Sequence, residues 1–113
     1  MTTDDAATRR PRSLDDEAAL DDLLEAEDRV LVEFYTEGCS ACAAMEPVLG
    51  NVARETEVTV AVCNPRDDPP LVDRFQITSV PALVAFENGE EVGRLADGFQ
   101  GVEAVLAFLE ESF

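Results

Sequence analysis

The sequence predicts an α/β fold in which a mixed sheet carries helices on both faces. Two near-continuous apolar runs, at 30–35 and 58–63, flank a helical pattern, and Asn88-Gly89 joins two later strand-like segments. Such runs are typical of strands covered on both faces, and Asn-Gly between strands is a strong hairpin signal. We therefore expect a parallel β-α-β half followed by an antiparallel hairpin half, with helices packed against both faces of the sheet.

The first predicted element is a helix. Ser13 and Asp16 have the spacing of a capping box, and the apolar residues after them form an approximate helical stripe that ends near Glu27. Residues 1–12 are polar, charged and without periodicity, so we interpret them as a mobile tail and residues 13–113 as one domain. The tail contains no strand-like run.

The central part of the chain predicts a strand, a long helix and a second strand. The strand at 30–35 is followed by two cysteines, after which apolar residues recur at intervals of three and four, as on one buried helical face. Pro47 is expected to bend this helix. The segment VTVAVC at 58–63 is the second strand. The buried helical face consists of Cys42, Met45, Leu49 and Val52.

The last third of the chain predicts a loop, a short helix, a hairpin and a final helix. The segment NPRDDPP at 64–70 is rich in turn formers, and Pro70 suits the first position of a short helix that reaches Phe75. Strands at 82–86 and 91–95 form the hairpin. The final helix is marked by Val102, Val105, Leu106 and Leu109.

The chain is strongly acidic, with 25 acidic residues, 8 basic residues and a net charge of −17, and every basic residue is Arg. Nucleic acid and anionic membranes bind basic surfaces, so we expect neither as a partner. A lysine-free acidic surface indicates adaptation to a salt-saturated cytoplasm, as in halophilic archaea, because ~1 M salt shortens the Debye length to about 3 Å. An acidic protein from an ordinary cell is the alternative.

Targeting signals are not evident in the sequence. No segment approaches the roughly 18 apolar residues of a membrane-spanning helix. Arg9-Arg10 suggests a twin-arginine export signal, but Pro11, Arg12 and an acidic run follow it instead of an apolar core. We therefore expect a cytoplasmic protein, and we expect it to be a monomer.

Cys39 and Cys42 lie where the first apolar strand ends and a helix begins. Three interpretations are open: a metal site, two small core residues, or a redox pair. Zinc sites usually take four Cys or His ligands, whereas this chain has three cysteines and no histidine, so we expect no metal. The core interpretation suits Cys42, which falls on the buried helical face, better than Cys39, which follows Gly38 in a loop.

The redox interpretation explains the positions of both cysteines. A thiolate at a helix N-terminus is stabilised by unpaired backbone N–H groups and by the helix dipole. Cys39 lies at that end and is expected to be the exposed nucleophile. Cys42 lies one turn further along, close enough to attack a mixed disulfide formed on Cys39, and is expected to be the buried resolving cysteine.

Two motifs resemble the thioredoxin family. The segment VLVEFYTEGCSACAAMEPVL at 30–49 is similar to the family's active-site strand, redox turn and kinked helix, and SVPALVAFENGEEVGRLADGF at 79–99 is similar to its proline loop and following hairpin. The resemblance extends from about Leu14 to Phe113 and implies a thioredoxin-like fold. Because the tail has no strand-like run, we expect the family's first strand to be missing.

The resemblance assigns roles to individual positions. It implies that Cys39 and Cys42 are the redox pair and that Pro47 kinks the active-site helix. It implies that Pro81 is a cis-proline facing the disulfide. Val80, just before this proline, is expected to pair through its backbone with an extended segment of the substrate.

Three further positions are implied to border the substrate. Gly98 matches a glycine that leaves room for the substrate, while Gly38 and Tyr35 occupy positions where the family usually has tryptophan. The dipeptide between the cysteines is Ser40-Ala41 instead of the family's usual Gly-Pro. Because these residues surround the redox pair, its reduction potential cannot be copied from a relative.

Glu33 interrupts the first apolar strand. A buried carboxylate is costly, so we expect it to pair or to remain protonated with a raised pKa. Its resemblance to the family's buried aspartate makes Glu33 the candidate acid–base group for Cys42, although the lysine that commonly pairs with this acid is replaced by Val62. A strand-end glutamate that reaches water is the alternative.

The third cysteine, Cys63, ends the second predicted strand. We expect it to be a buried apolar residue, and a regulatory or intermolecular thiol is the alternative.

The sequence and the resemblance together predict a thiol–disulfide oxidoreductase that uses a Cys-Ser-Ala-Cys dithiol and needs no metal or organic cofactor. The implied partners are disulfide-containing proteins and an upstream dithiol donor or reductase, and a reducing cytoplasm favours disulfide reduction. Two alternatives remain open. One is a thioredoxin-like binding or adaptor module whose cysteines are vestigial or sense oxidants, and the other is a disulfide oxidase or isomerase on the same fold.

Overall fold

The computed structural model describes residues 9–113, so that most of the predicted tail, residues 1–8, lies outside the described residues. The five strands are β1 (Arg12–Leu14), β2 (Arg29–Phe34), β3 (Thr59–Cys63), β4 (Ala82–Glu87) and β5 (Glu90–Leu95). The four α-helices are α1 (Glu17–Ala26), α2 (Ser40–Glu55), α3 (Pro70–Phe75) and α4 (Val102–Ser112), and a 3-10 turn at Pro65–Asp67 precedes α3. No helix in the described range is both long enough and apolar enough to cross a membrane.

The strands form one mixed sheet in the order β1-β3-β2-β4-β5. β3 pairs in parallel with both β1 and β2, whereas β4 pairs antiparallel with β2 and β5. The hairpin turns at Asn88 and Gly89, which both have positive φ angles of 52° and 85°. Asn and Gly are the residues that adopt this conformation most easily, so the predicted hairpin is confirmed.

The start of the domain differs from the prediction. We expected the first strand to be missing, but residues Arg12–Leu14 form β1 and pair with residues 61–63 of β3. This strand is three residues long and only Leu14 is buried, so it leaves no alternating pattern in the sequence. The predicted capping box is also wrong: Asp16 is the N-cap of α1, and its Oδ1 accepts a hydrogen bond from the backbone N–H of Ala19 at 2.8 Å.

The sheet separates two apolar clusters because successive side chains of β2 point to opposite faces. Val32 and Phe34 belong to the cluster under α1 and α3, where the ring of Phe75 lies 5.5 Å from that of Phe34. Leu31 belongs to the cluster under α2 and α4. Glu33 is two residues from Leu31, so its carboxyl group points towards the α2 face of the sheet.

Three connecting segments meet at one end of the strands, beyond the carboxyl ends of β2 and β3. The parallel strands β2 and β3 both end there, since Phe34 and Cys63 are register partners. β4 begins at this same end of the sheet, because Ala82 pairs with Phe34, and β5 ends there, because Leu95 pairs with Leu83. Three segments are therefore neighbours: the turn after β2, the segment before β4 and the loop after β5. They lie at the carboxyl ends of the parallel strands, where α/β proteins bind ligands.

Candidate active site

The two cysteines of the predicted redox pair form a disulfide at the start of α2. Cys39 is the N-cap residue, and its sulfur accepts a hydrogen bond from the backbone N–H of Cys42 at 3.1 Å. The Cα atoms of the two residues are 5.2 Å apart. Gly38 precedes them with a φ angle of +80°, a left-handed conformation that favours glycine and turns the chain from β2 into the helix.

The two cysteines differ in their access to solvent. Cys39 is half-buried, whereas Cys42 is only 4% exposed and lies on the inner face of α2. The helix places its first N–H groups next to the Cys39 sulfur, which stabilises negative charge there. The site therefore has one sulfur that an incoming disulfide can reach and a second sulfur behind it.

The segment before β4 faces the disulfide. The Val80–Pro81 peptide bond is cis, as predicted, and the carbonyl oxygen of Val80 lies 4.0 Å from the Cys39 sulfur. Pro81 is buried, and β4 begins directly after it at Ala82. The backbone of Val80 is thus presented beside the more accessible sulfur, where an extended peptide could pair with it.

The loop after β5 contains Gly98, which the resemblance had placed beside the substrate, and Phe99, which the sequence analysis did not assign. Gly98 has a φ angle of +82°, and no atom lies within 4 Å of the position that a Cβ atom would take there. Phe99 follows it and is 51% exposed, which is unusual for a large apolar side chain. The backbone N–H of Gln100 contacts the Met45 sulfur at 3.4 Å and ties this loop to α2. An aromatic residue in an otherwise polar loop was the available signal.

Behind the disulfide lies a cavity of about 630 Å³ that brings Glu33, Tyr35 and Gly38 together with both cysteines. Glu33 is only 2% exposed, and its Oε2 has no hydrogen-bond partner among residues 9–113. Burial, and secondly the negative charge of Glu46, raise the pKa of Glu33 to about 7. Because only 2% of its surface is exposed, Glu33 is not the strand-end glutamate at the protein surface that the alternative expected.

Three charged residues of this cavity were also not assigned from the sequence. Glu46 lies in α2, Glu37 lies in the turn after β2, and Arg10 lies in the segment before β1 that the sequence analysis interprets as tail. Tyr35 borders the same space, and burial together with the negative charges of Asp67 and Glu37 raises the pKa of its hydroxyl group. Glu46 is four residues after Cys42, a helical spacing that was visible in the sequence.

Cys63 takes no part in this cavity. Its thiol is 1% exposed, and it packs in the apolar cluster under α1 and α3, which confirms the expected buried residue. Burial, followed by the charges of Asp67 and Asp68, raises the pKa of this thiol to about 11. Cys63 is therefore held as an uncharged thiol.

Over residues 9–113 no cluster of three or more Cys, Asp or Glu side chains is arranged to hold a metal ion.

Comparison with known proteins identifies the family. The family model described as thioredoxin matches residues 12–111, nearly the whole described range. The chain belongs to the thioredoxin family. Thioredoxin of Mycobacterium tuberculosis H37Rv is 35% identical over 92 residues, which cover 80% of this chain and 78% of that protein. Thioredoxin of Buchnera aphidicola is 36% identical over 73 residues, which cover 63% of this chain and 67% of that protein.

Solved structures give the same fold. A mutant thioredoxin from Halobacterium salinarum NRC-1 superimposes with a TM-score of 0.88 at 28% identity, covering 99% of this chain and 96% of that chain. Schistosoma mansoni thioredoxin superimposes with a TM-score of 0.83 at 19% identity, covering 96% and 98%. The predicted thioredoxin-like fold is confirmed. With its Cys39–Cys42 pair at disulfide distance, this member of the family is a thiol–disulfide oxidoreductase that acts on disulfide substrates.

Proposed function

We propose that this oxidoreductase works as a protein-disulfide reductase, with Cys39 as nucleophile and Cys42 as resolving cysteine. The Cys39 thiolate attacks one sulfur of a substrate disulfide, forms a mixed disulfide and releases the other substrate sulfur as a thiolate. The Cys42 thiolate then attacks the Cys39 sulfur and releases the second substrate thiolate. The substrate gains two electrons, and the protein is left with the Cys39–Cys42 disulfide.

The observation that carries this assignment is the difference between the two sulfurs. Cys39 is half-buried at the helix N-terminus, whereas Cys42 is 4% exposed and too enclosed to meet a protein substrate directly. A backbone N–H at 3.1 Å favours negative charge on the Cys39 sulfur. The order of attack follows from access, since only the sulfur that a substrate reaches can form the intermolecular bond.

Substrate binding is assigned to the rim of the disulfide. The carbonyl group of Val80 is 4.0 Å from the Cys39 sulfur and supports backbone pairing with an extended segment that runs past Pro81. The open space over Gly98 leaves room for this segment. Phe99, which is 51% exposed in the same loop, offers an apolar contact for a substrate side chain. Gly38 and Tyr35 line the cavity that both cysteines also border.

Glu33 is assigned the role of proton acceptor for Cys42. A thiol must lose its proton before it attacks, and Glu33 lines the same cavity as Cys42 with one carboxyl oxygen that has no partner among residues 9–113. A carboxyl group with a pKa of about 7 changes its protonation state at neutral pH, which suits a group that accepts and returns protons.

The physiological setting is part of the proposal. The net charge of −17 without any lysine supports a salt-rich cytoplasm, where the charges are screened. In such a compartment a monomer would reduce disulfides in proteins and be reset by an external dithiol or a reductase. A relative from Mycobacterium leprae, described as a bifunctional thioredoxin reductase/thioredoxin, joins such a pair in one chain and supports this kind of donor.

Insulin reduction driven by dithiothreitol in molar KCl tests the assignment. The wild-type protein is expected to accelerate insulin precipitation, and Cys39→Ser and Cys42→Ser are expected to abolish the acceleration. Cys63→Ala is the matched control, because it removes a thiol outside the site, and it is expected to keep wild-type activity. If the folded wild-type protein is as inactive as Cys39→Ser, the reductase proposal fails.

A further inference from the structure

The cavity behind the disulfide extends from the buried Glu33 to the exposed Glu46. Its walls include the buried residues Glu33 and Cys42 and the exposed residue Glu46. Glu46 lies one helical turn beyond Cys42 in α2, so both side chains leave the same side of the helix. The volume of about 630 Å³ has room for several water molecules, since each takes roughly 30 Å³ in the liquid.

Glu33 is a buried group of this cavity on which a neighbouring charge acts strongly. Its register neighbours on both sides, Val62 and Leu83, are apolar, and within the described range its Oε2 has no hydrogen-bond partner. Charges act strongly on such a carboxyl group because its surroundings screen them weakly. We propose that Glu46 is a positioning residue whose carboxylate, at the outer end of the cavity, strengthens the hold of Glu33 on its proton.

Other titratable groups face the same space from each neighbouring element. Arg10 enters from the segment before β1, and Tyr35 and Glu37 enter from the end of β2 and the turn after it. Burial is the main cause that raises the pKa of Glu33, and the negative charge of Glu46 is the second. The sign of the effect is therefore fixed: without the charge of Glu46, Glu33 releases its proton at lower pH.

The consequence for the reaction is a pH window for the resolving step. This inference rests on the proposed role of Glu33, in which its carboxylate takes the proton from the Cys42 thiol. The Cys42 thiolate attacks the Cys39 sulfur, the substrate cysteine leaves as a thiolate, and Glu33 passes its proton to water in the cavity. Because Glu46 keeps Glu33 protonated to higher pH, it moves the onset of this step to higher pH.

The direct test is a titration of Glu33 in the oxidised protein, in which Cys39 and Cys42 are bonded to each other and do not titrate. Carbon-13 NMR of carboxyl-labelled glutamate reports each side chain, and the signal lost in Glu33→Gln identifies Glu33. Glu46→Gln is expected to move the Glu33 midpoint to lower pH, whereas Glu46→Asp, which keeps the charge, is expected to move it much less.

Glu55→Gln is the matched control. It removes the same charge from the same helix, at an exposed position two and a half turns away, roughly 13 Å along the axis, and is expected to leave the Glu33 midpoint unchanged. An unchanged midpoint in Glu46→Gln would overturn the inference. Equal shifts in Glu46→Gln and Glu55→Gln would also overturn it, because they would show an effect of net charge and not of position.

A kinetic measurement separates this inference from the proposed function. Single-turnover reduction of a disulfide substrate by the wild-type protein is expected to accelerate with pH as Glu33 loses its proton, and Glu46→Gln is expected to accelerate at lower pH. Glu33→Gln is expected to lose this rise, and adding Glu46→Gln to it is expected to change nothing further. If Glu33→Gln keeps the wild-type profile, the role of Glu33 fails. If Glu33→Gln loses the rise in rate but Glu46→Gln keeps the wild-type pH profile, only the role of Glu46 fails.

Discussion

Glu33→Gln should gain stability relative to wild type as the pH rises through about 7, and the surroundings of the carboxyl group give the size of the effect. The pKa of Glu33 is about 7 in the folded protein against 4.5 for the unperturbed group. Because one pKa unit corresponds to about 1.4 kcal/mol, ionising Glu33 in the folded protein costs about 3 kcal/mol more than ionising it in the unfolded chain. Glutamine has nearly the same shape and never ionises.

The direction of the pH dependence follows from proton binding. Between pH 4.5 and 7 the folded protein holds the Glu33 proton more tightly than the unfolded chain does. Its contribution to stability is therefore fully present below about pH 4.5 and is lost as the pH rises through about 7. For one such group the free energy of unfolding falls by about 2.5 kcal/mol between about pH 5 and about pH 8.

Urea unfolding of the oxidised protein, followed by circular dichroism in molar KCl, measures this difference. The gap in unfolding free energy between Glu33→Gln and wild type is expected to grow by about 2.5 kcal/mol from about pH 5 to about pH 8. Any cost of burying the glutamine amide is independent of pH and only offsets the whole curve. Glu55→Gln is the control and should run parallel to wild type. A Glu33→Gln curve that also runs parallel to wild type would refute the reasoning.

Two further predictions concern the buried thiol and the surface charge. In the reduced, folded protein a thiol reagent should react with two cysteines and should reach Cys63 only after urea is added. Three reactive thiols in the folded protein would contradict the burial of Cys63. Cys63→Ala should lower the free energy of unfolding by about 1 kcal/mol. Desalting from molar to ~10 mM KCl lengthens the Debye length from about 3 to about 30 Å, so the melting temperature should fall substantially, and a flat salt response would contradict the halophilic interpretation.

Features with local signals were predicted from the sequence. The apolar runs of β2 and β3, the spacing of the α2 face and the Asn88-Gly89 turn each depend on neighbouring residues, and the structure confirms all of them. The position of the redox pair at a helix N-terminus could also be predicted from the sequence, because strand, turn and helix follow one another directly. The cis state of the Val80–Pro81 bond came from the family resemblance and not from any local signal.

Features that depend on distant contacts were missed. β1 is held by pairing with β3, far along the chain, and three residues with one buried leucine carry no periodic signal. Ser13 is part of that strand and so is not a helix cap. The cavity likewise unites Arg10, Glu33 and Glu46 from three separate segments, and only the folded chain shows that they share a space.

The central claim is that Cys39 makes the bond to the substrate and Cys42 breaks it. The most direct measurement is to mix reduced Cys42→Ser with insulin, quench with acid, and map the adduct by mass spectrometry. The account predicts a lasting disulfide between insulin and Cys39 in Cys42→Ser, and none in Cys39→Ser under the same conditions. An adduct on Cys63, or an adduct on Cys42 in folded Cys39→Ser that forms as fast as the Cys39 adduct does in Cys42→Ser, would contradict it.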